Sequence, residues 1–163
     1  MFHDVDLLIP RVWLGNFNSS QNLSFLKRNQ INVIVNCTKD LPFLTYTSPN
    51  PSGGNDVYRY RVPVDDNLQP TEMVAMSKYL NKIIPILEKH YQAGHKIMIH
   101  CAAGIQRSAI VALSFLCVHF QCNPKTALSL MRTQRPLVFL PMMNFALSFR
   151  LSFGDNLYQL LVT

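Results

Sequence analysis

Residues 96–108 read K-I-M-I-H-C-A-A-G-I-Q-R-S and contain the pattern that determines the fold. Residues 96–100 are a short apolar run, which predicts a buried strand. Residues 108–120 are apolar on nearly all sides, which predicts a helix at the centre of the domain. A loop of small residues therefore joins a buried strand directly to a buried helix.

The flanking sequence continues this alternation of strands and helices. β-branched or alternating runs predict further strands at residues 12–15, 31–37 and 57–64. Helical spacing of apolar residues predicts further helices at residues 71–91, 124–132 and 142–153. Pro85 lies inside the first of these and is expected to kink or break it. The pattern predicts an α/β fold with a mainly parallel central sheet flanked by helices.

Length and composition indicate one folded domain with a basic surface. The chain has 163 residues, 48% of them hydrophobic and 15% charged, so we expect a single domain over residues 1–163. Fifteen Lys and Arg against nine Asp and Glu give a formal net charge of +6. This excess favours phosphoproteins, nucleic acids or membrane headgroups as partners, or it serves only solubility.

The amino terminus and the cysteines indicate the compartment. The first ten residues carry acids and no basic segment, which is unlike a signal peptide, and no apolar run is long enough to span a membrane. Cys37, Cys101, Cys117 and Cys122 form no C-x-x-C pair, so we expect no structural zinc. We predict a cytoplasmic protein whose thiols are reduced, or a host-cytoplasm or virion protein if the source is viral.

The loop after the predicted strand has the composition of an anion-binding site. Small residues let successive backbone N–H groups point inward, and the helix start adds its positive dipole end. Arg107 adds a planar fork that can hold two phosphate oxygens. Cys101 faces the same positive field, which stabilises its thiolate as a nucleophile for phosphorus. The residues expected to bind phosphate are Ala102, Ala103, Gly104, Ile105, Gln106 and Arg107.

These residues resemble the C-x5-R-S/T signature of cysteine-dependent phosphatases. Over residues 9–153 the chain is similar to a dual-specificity protein phosphatase domain, and most of all to small, domain-only members such as the poxvirus-type enzymes. Supporting stretches are V-W-L-G at 12–15, I-V-N-C-T at 34–38, Y-R-V-P-V-D-D-N at 60–67, and R-P at 135–136 with Pro141. The resemblance implies a hydrolase, without metal or cofactor, that dephosphorylates phosphotyrosine and phosphoserine or phosphothreonine proteins through a phosphocysteine intermediate.

The resemblance also implies a general acid upstream of the loop, because the leaving oxygen needs a proton. The family pattern V-x-D places this acid at Asp66. Its neighbour Asp65 then points away or orients the segment, and it is the rival for the role. If neither residue served, Asp56 would be the next candidate.

Three further residues are implied to support the loop. His100 braces the loop and supports the thiolate, Ser108 donates to the sulfur, and Asn36 hydrogen-bonds the phosphate loop. For each of them an ordinary structural role is the alternative. Cys37 could in addition form a reversible disulfide with Cys101 under oxidation.

Two features depart from the family pattern. Pro141 is followed by Met142 where the family often has Asn, from which we expect a change in packing without loss of chemistry. The turn-rich loop at residues 47–56 is longer than expected, leaves the contacts on the substrate side open, and is the segment expected to be flexible.

Three other functions stay open at this stage. The chain could be an RNA 5′-phosphatase or triphosphatase, a phosphoinositide phosphatase, or a catalytically inactive phosphate reader. Against the second, the variable loop positions 102, 103, 105 and 106 are all neutral, whereas phosphoinositide-specific relatives carry extra Lys there. Against the third, Cys101, Arg107 and an Asp are all present. The predicted partner is a phosphorylated protein, with the oligomeric state left open.

Overall fold

The fold is an α/β sandwich built on five strands. The structure, a computed structural model, describes residues 3–163. Its elements in chain order are β1 (Val5–Ile9), β2 (Val12–Gly15), α1 (Phe17–Ser20), α2 (Leu23–Arg28), β3 (Val33–Asn36), β4 (Tyr58–Arg61), α3 (Pro70–Gln92), β5 (Ile97–His100), α4 (Arg107–Phe120), α5 (Pro124–Gln134), α6 (Ala146–Phe153) and α7 (Asp155–Val162).

The strands form one sheet in the order β1-β2-β5-β3-β4. β1 pairs antiparallel with β2, and the three other neighbouring pairs are parallel. At the end of β5, His100 lies opposite Gly15 of β2 and Asn36 of β3. The carboxyl ends of the parallel strands thus meet at one edge of the sheet. The predicted α/β fold, with a mainly parallel sheet between helices, is confirmed.

Each face of the sheet covers its own hydrophobic core. Ile97 and Ile99 of β5 point into the larger core, which includes residues of α3, α4, α5 and α6. Met98, between them, points to the other face and packs with Leu26 of α2 and with Tyr46. This alternation follows from the two-residue period of a strand. It explains why β5 is apolar throughout, because both of its faces are buried.

Helix α3 continues through Pro85 without a break. Met76, Leu80 and Leu87 on its inner face are completely buried, whereas Pro85 is exposed on the outer face. A proline inside a helix costs about 3 kcal/mol because it removes a backbone hydrogen bond. The freed carbonyl belongs to Asn81, an exposed residue, so water can satisfy it. The expected break is therefore absent because the apolar face holds both halves against the core.

Several element boundaries differ from the sequence prediction. The helix predicted from residue 142 begins only at Ala146, so residues 141–145 form an irregular segment before it. β1 and α7 were not predicted as elements. β1 owes its strand conformation to antiparallel pairing with β2, which is a tertiary effect. Within residues 3–163, no helix has both the length and the apolar character to cross a membrane.

Candidate active site

The phosphate loop, residues 101–108, has its backbone carbonyl groups held on the outside. The Ala102 carbonyl accepts a bond from the Phe17 amide at 3.1 Å, and the Ile105 carbonyl from the Phe139 amide at 3.0 Å. The Gln106 carbonyl accepts the Ile110 amide at 2.9 Å. With the carbonyls turned outward, the N–H groups are free to face inward toward an anion.

Arg135 holds two further carbonyls of the loop. Its side chain, only 2% exposed, donates to the Gly104 carbonyl at 2.8 Å and to the Ala103 carbonyl at 3.2 Å. Asp6 pairs with the same guanidinium at 2.8 Å and balances its buried charge. Arg135 lies within a stretch of sequence that resembles the family, but no role was predicted for it, because one arginine far along the chain carries no spacing signal. Arg135 is therefore a support of the loop that sequence reasoning missed.

Gly104 is required by the shape of the loop. Its φ of 71° lies in the left-handed region that glycine adopts without strain. A Cβ at this position would lie 2.5 Å from the Gly15 carbonyl oxygen and 2.7 Å from Nη2 of Arg135. Any side chain here would push the loop away from β2. The small residues of the sequence motif thus allow close backbone approach.

Cys101 lies at the floor of the loop and is 2% exposed. Its Sγ accepts a hydrogen bond from the Gly104 amide at 3.3 Å and lies 3.1 Å from Oγ of Ser108. Donors directed at sulfur stabilise a thiolate. The neighbouring cysteines lie in different surroundings: burial, followed by the proximity of Cys101, raises the pKa of Cys37, and burial raises the pKa of Cys117 to about 12. These two groups stay protonated at neutral pH.

Arg107, the first residue of α4, connects the loop to the next segment of the site. Its Nη1 donates to the Val64 carbonyl at 3.0 Å. Its Nε is buried and has no hydrogen-bond partner among residues 3–163. A buried donor without a partner is costly, and this one belongs to the residue at which the loop ends and α4 begins. Nε is thus available to a phosphate oxygen.

His100 is a neutral residue under the loop. It is completely buried, and its Nδ1 lies 3.3 Å from the Cys101 carbonyl oxygen. Burial lowers its pKa to about 4, and the nearby Arg61 and Arg107 act in the same direction. The ring therefore carries no charge at neutral pH. It contacts the loop backbone, where the resemblance placed it.

The two neighbouring aspartates of the acid segment, residues 64–69, have different partners. Asp65 forms an ion pair with Lys39 at 3.2 Å, and its backbone amide is 3.4 Å from a Glu72 carboxylate oxygen. Asp66 Oδ1 accepts a hydrogen bond from Nδ2 of Asn144 at 2.9 Å. The side chains are thus held by different parts of the chain, and Asn144 is a second contact that sequence reasoning missed.

Asn36 does not make the predicted hydrogen bond to the phosphate loop. Its Nδ2 donates to the Leu41 carbonyl at 2.8 Å, and its Oδ1 accepts from the hydroxyl of Thr38 at 2.6 Å. Arg61 donates to the Thr38 and Leu41 carbonyls as well. The local turn captures the side chain because Asn readily bonds the backbone two residues ahead. Asn36 therefore braces residues 38–41, the turn that carries Lys39.

The loop at residues 47–56 lies at the other end of the parallel strands from Cys101. The Pro49 carbonyl accepts a bond from Asn32, just before β3, at 3.1 Å. Oγ of Ser52 is 2.8 Å from Nε2 of His95, just before β5. These contacts place the loop at the amino ends of the parallel strands, away from Cys101. Asp56 is therefore wrongly placed for a general acid, and the loop does not line the active site.

The comparisons with known proteins agree with this geometry. The family model for the dual specificity phosphatase catalytic domain matches residues 12–152. The chain belongs to the dual specificity phosphatase family. It is similar to the tyrosine-protein phosphatase vhp-1 of Caenorhabditis elegans, with 28% identity over 86% of this chain and 20% of that protein. It is also 29% identical to human dual specificity protein phosphatase 2 over 67% of this chain and 31% of that protein.

Solved structures of the family share the fold over nearly the full length. Human DUSP28 superposes with a TM-score of 0.76 at 21% identity, covering 92% of this chain and 93% of that one. DUSP15 gives a TM-score of 0.75 at 22% identity, covering 96% and 94%. By contrast, the match to vhp-1 spans only a fifth of that protein.

Proposed function

We propose that this dual specificity phosphatase domain hydrolyses phosphate monoesters of phosphotyrosine and of phosphoserine or phosphothreonine in proteins. The observation that supports the proposal is that three features occur together in one loop. A buried cysteine sulfur receives a hydrogen bond, outward-held carbonyls leave the amides facing inward, and the buried Nε of Arg107 has no partner in the part of the chain that the structure describes. Together they form a cradle for a tetrahedral dianion with a nucleophile beneath it. A single domain over residues 1–163 suffices for this chemistry.

The first step transfers the phosphoryl group to sulfur. The Cys101 thiolate attacks phosphorus, so that an S–P bond forms while the bond from phosphorus to the leaving oxygen breaks. Asp66 gives its carboxyl proton to that oxygen. The phosphoryl oxygens are held by the loop amides and by the Arg107 fork.

The second step releases phosphate. Water attacks the phosphocysteine and transfers a proton to the Asp66 carboxylate, which restores the acid. The S–P bond breaks, and the sulfur leaves as a thiolate. The hydroxyl of Ser108, 3.1 Å from Sγ, can donate to the departing sulfur and stabilise its charge. The step needs no group beyond water and the residues of the site.

The charge distribution favours protein substrates over polyanions. Five arginine side chains are committed to structural contacts and are not free to reach a substrate. Each donates to backbone carbonyls: Arg11, Arg59, Arg61, Arg132 and Arg135. Lys39, beside the acid segment, is paired with Asp65 and Glu72. An inositol polyphosphate or an RNA 5′-triphosphate would need free cations around the loop. A phosphorylated side chain needs only the cradle.

A reducing compartment such as the cytoplasm suits this chemistry, because the nucleophile must stay a thiolate. The cysteines Cys37, Cys101, Cys117 and Cys122 are all free thiols. Oxidation that joined Cys101 to the neighbouring Cys37 would remove the nucleophile reversibly. This disulfide stays a prediction from the sequence.

The test is a comparison of turnover on matched substrates. We expect hydrolysis of an aryl phosphate, a phosphotyrosine peptide and a phosphothreonine peptide, with little activity on a phosphoinositide or a 5′-triphosphate RNA. Cys101→Ser should fold normally and lose turnover on all of them, because a serine hydroxyl is almost never ionised at neutral pH. It should still bind phosphopeptide, and wild-type activity should survive EDTA. Preference for the RNA, or turnover retained by Cys101→Ser, would refute the proposal.

A further inference from the structure

We propose that Asn144 is a positioning residue for the general acid, and that Gln106 of the phosphate loop holds Asn144 in place. The link runs from the phosphate cradle through two amide side chains to the Asp66 carboxylate. It couples the two halves of the site across 38 and 78 residues of sequence. The inference rests on the proposed function, since it concerns the acid of that reaction.

Gln106 fixes the irregular segment before α6 at two points. Its Nε2 donates to the Met142 carbonyl at 2.6 Å, and its Oε1 accepts from the Asn144 amide at 3.0 Å. The side chain is only 7% exposed, so both bonds are sheltered from water. Residues 142–144 are therefore held against the loop that binds phosphate.

Asn144 uses its side chain on the acid and not on the following helix. Phe145 is the residue at the amino-terminal cap of α6, and that cap has no side-chain hydrogen bond. The Asn144 side chain instead donates through Nδ2 to Oδ1 of Asp66 at 2.9 Å. The contact is thus not explained by helix capping. It lies two residues beyond Met142, where the sequence departs from the family's usual Pro-Asn.

The acid segment has few other restraints. Residues 64–69 lie between β4 and α3 outside any helix or strand, and Asp66 is exposed. Arg107 holds the Val64 carbonyl, and Lys39 holds Asp65, but neither of them contacts the Asp66 carboxylate. An exposed carboxyl without a partner samples several rotamers. Holding a catalytic group in the reactive orientation is a large part of its contribution to the rate.

The hydrogen bond from Asn144 also gives the two carboxyl oxygens of Asp66 different roles. An amide N–H occupies Oδ1, so the acidic proton sits on Oδ2 and can be given to the leaving oxygen. When that proton has been transferred, the same N–H stabilises the carboxylate until water returns a proton. Asn144 therefore acts through Asp66 and touches neither phosphorus nor the leaving group.

The test is a double-mutant cycle read with two leaving groups. The variants are Asn144→Ala, Asp66→Asn and the double mutant, with Asn156→Ala on the exposed face of α7 as the matched control. The substrates are a phosphotyrosine peptide, whose leaving group needs a proton, and an activated aryl phosphate, whose leaving group needs little. We expect Asn144→Ala to slow the peptide about tenfold, a part of the acid's full effect. The aryl phosphate should lose less than about twofold, and the control should match wild type on both.

The cycle separates positioning from a general structural role. In the Asp66→Asn background, Asn144→Ala should cause no further loss, because the acid it orients is gone. Equal losses on both substrates, or an additive loss in the double mutant, would overturn the inference while leaving the proposed function intact. Should Asn144→Ala unfold, Asn144→Leu keeps a side chain of similar size, removes the donor without adding a charge and must show the same leaving-group dependence. A wild-type protein inactive on both substrates would overturn the proposed function and this inference with it.

Discussion

The phosphate loop and the acid segment carry the two halves of the proposed reaction, yet they are held by different kinds of contact. In the phosphate loop, carbonyls are bonded to buried groups of the fold, including Arg135 at 2% exposure. In the acid segment, Val64 is buried but residues 66–69 are exposed, and the side chains of Asp65 and Asp66 are held by single contacts from Lys39 and Asn144. The nucleophile is thus fixed by the core, and the acid by surface contacts.

This difference predicts that the two regions contribute differently to the stability of the fold and to the rate of the reaction. Buried hydrogen bonds to a charged group are expensive to break, because the partner left behind is buried and no water replaces the lost bond. Exposed contacts contribute little to stability, because water replaces them. Mutations in the buried side chains that support the phosphate loop should therefore affect folding and activity together. Mutations in the acid segment should affect activity alone, and three predictions test this contrast.

Among the three predictions that test this contrast, the largest effect on rate is expected at Asp66. Asp66→Asn should slow phosphotyrosine and phosphothreonine peptides by roughly 10²- to 10⁴-fold, the usual contribution of a positioned general acid. An activated aryl phosphate should lose much less, and the basic limb of the pH–rate profile should flatten. The unfolding midpoint in urea should match wild type, because the side chain is exposed.

Asp65→Asn is the matched control for this experiment. Its carboxylate is engaged in an ion pair with Lys39, on the turn braced by Asn36, and Lys39 keeps Glu72 as a second partner when Asp65 is replaced. We expect rates close to wild type on both kinds of substrate. If Asp65→Asn showed the leaving-group dependence and Asp66→Asn did not, the two roles would be exchanged.

The next effect is on stability and lies in the support of the phosphate loop. Arg135→Leu removes the donors to the Gly104 and Ala103 carbonyls and leaves Asp6 without its cation. We expect a loss of about 3–5 kcal/mol in the free energy of unfolding, because a buried charged network is left half satisfied. Urea unfolding measures this loss.

A surface arginine supplies the comparison for Arg135. Arg28 is exposed in the last turn of α2, and Arg28→Leu should change the unfolding free energy by less than about 0.5 kcal/mol. Activity should fall with stability in Arg135→Leu and stay normal in Arg28→Leu. An Arg135→Leu protein as stable as wild type would show that the loop does not depend on this contact.

The same contrast explains what the sequence could predict. The strand, loop and helix around Cys101 follow from a local pattern of apolar and small residues, and the structure contains β5, the loop and α4 within one or two residues of their predicted bounds. The choice between Asp65 and Asp66 is different, because neighbouring residues share one local pattern. It depends on Lys39 and Asn144, which come from distant parts of the chain.

The residues whose roles were predicted wrongly or missed also depend on contacts that form only in the folded protein. Asn36 was expected to bond the phosphate loop, but the nearer backbone of its own turn captured its side chain. Asp56 lies in a polar loop whose place relative to Cys101 depends on strand direction, not on spacing along the chain. Arg135 is an ordinary charged residue in sequence, and only the packed fold shows that it is buried.

The smallest of the three effects is a pH dependence of stability that belongs to the phosphate loop. Burial lowers the pKa of His100 to about 4, against 6.5 for an ordinary histidine, so between these values the unfolded chain binds a proton that the folded protein does not. Stability is therefore full above pH 6.5 and falls as the pH drops toward 4. By linkage, His100 alone should lower the unfolding free energy by about 2 kcal/mol between pH 7.5 and pH 5.

The variant His100→Asn isolates this contribution from those of other buried histidines. Burial also lowers the pKa of His90 and His95, so the wild-type slope includes them. Urea unfolding of wild type and His100→Asn at pH 7.5 and pH 5 gives two differences, and the variant's should be smaller by about 2 kcal/mol. The comparison uses the change in unfolding free energy between the two pH values, so a general loss of stability in the variant does not affect it. Equal slopes would mean that His100 is protonated as readily in the folded protein as in the unfolded chain, and that the loop lacks its neutral support.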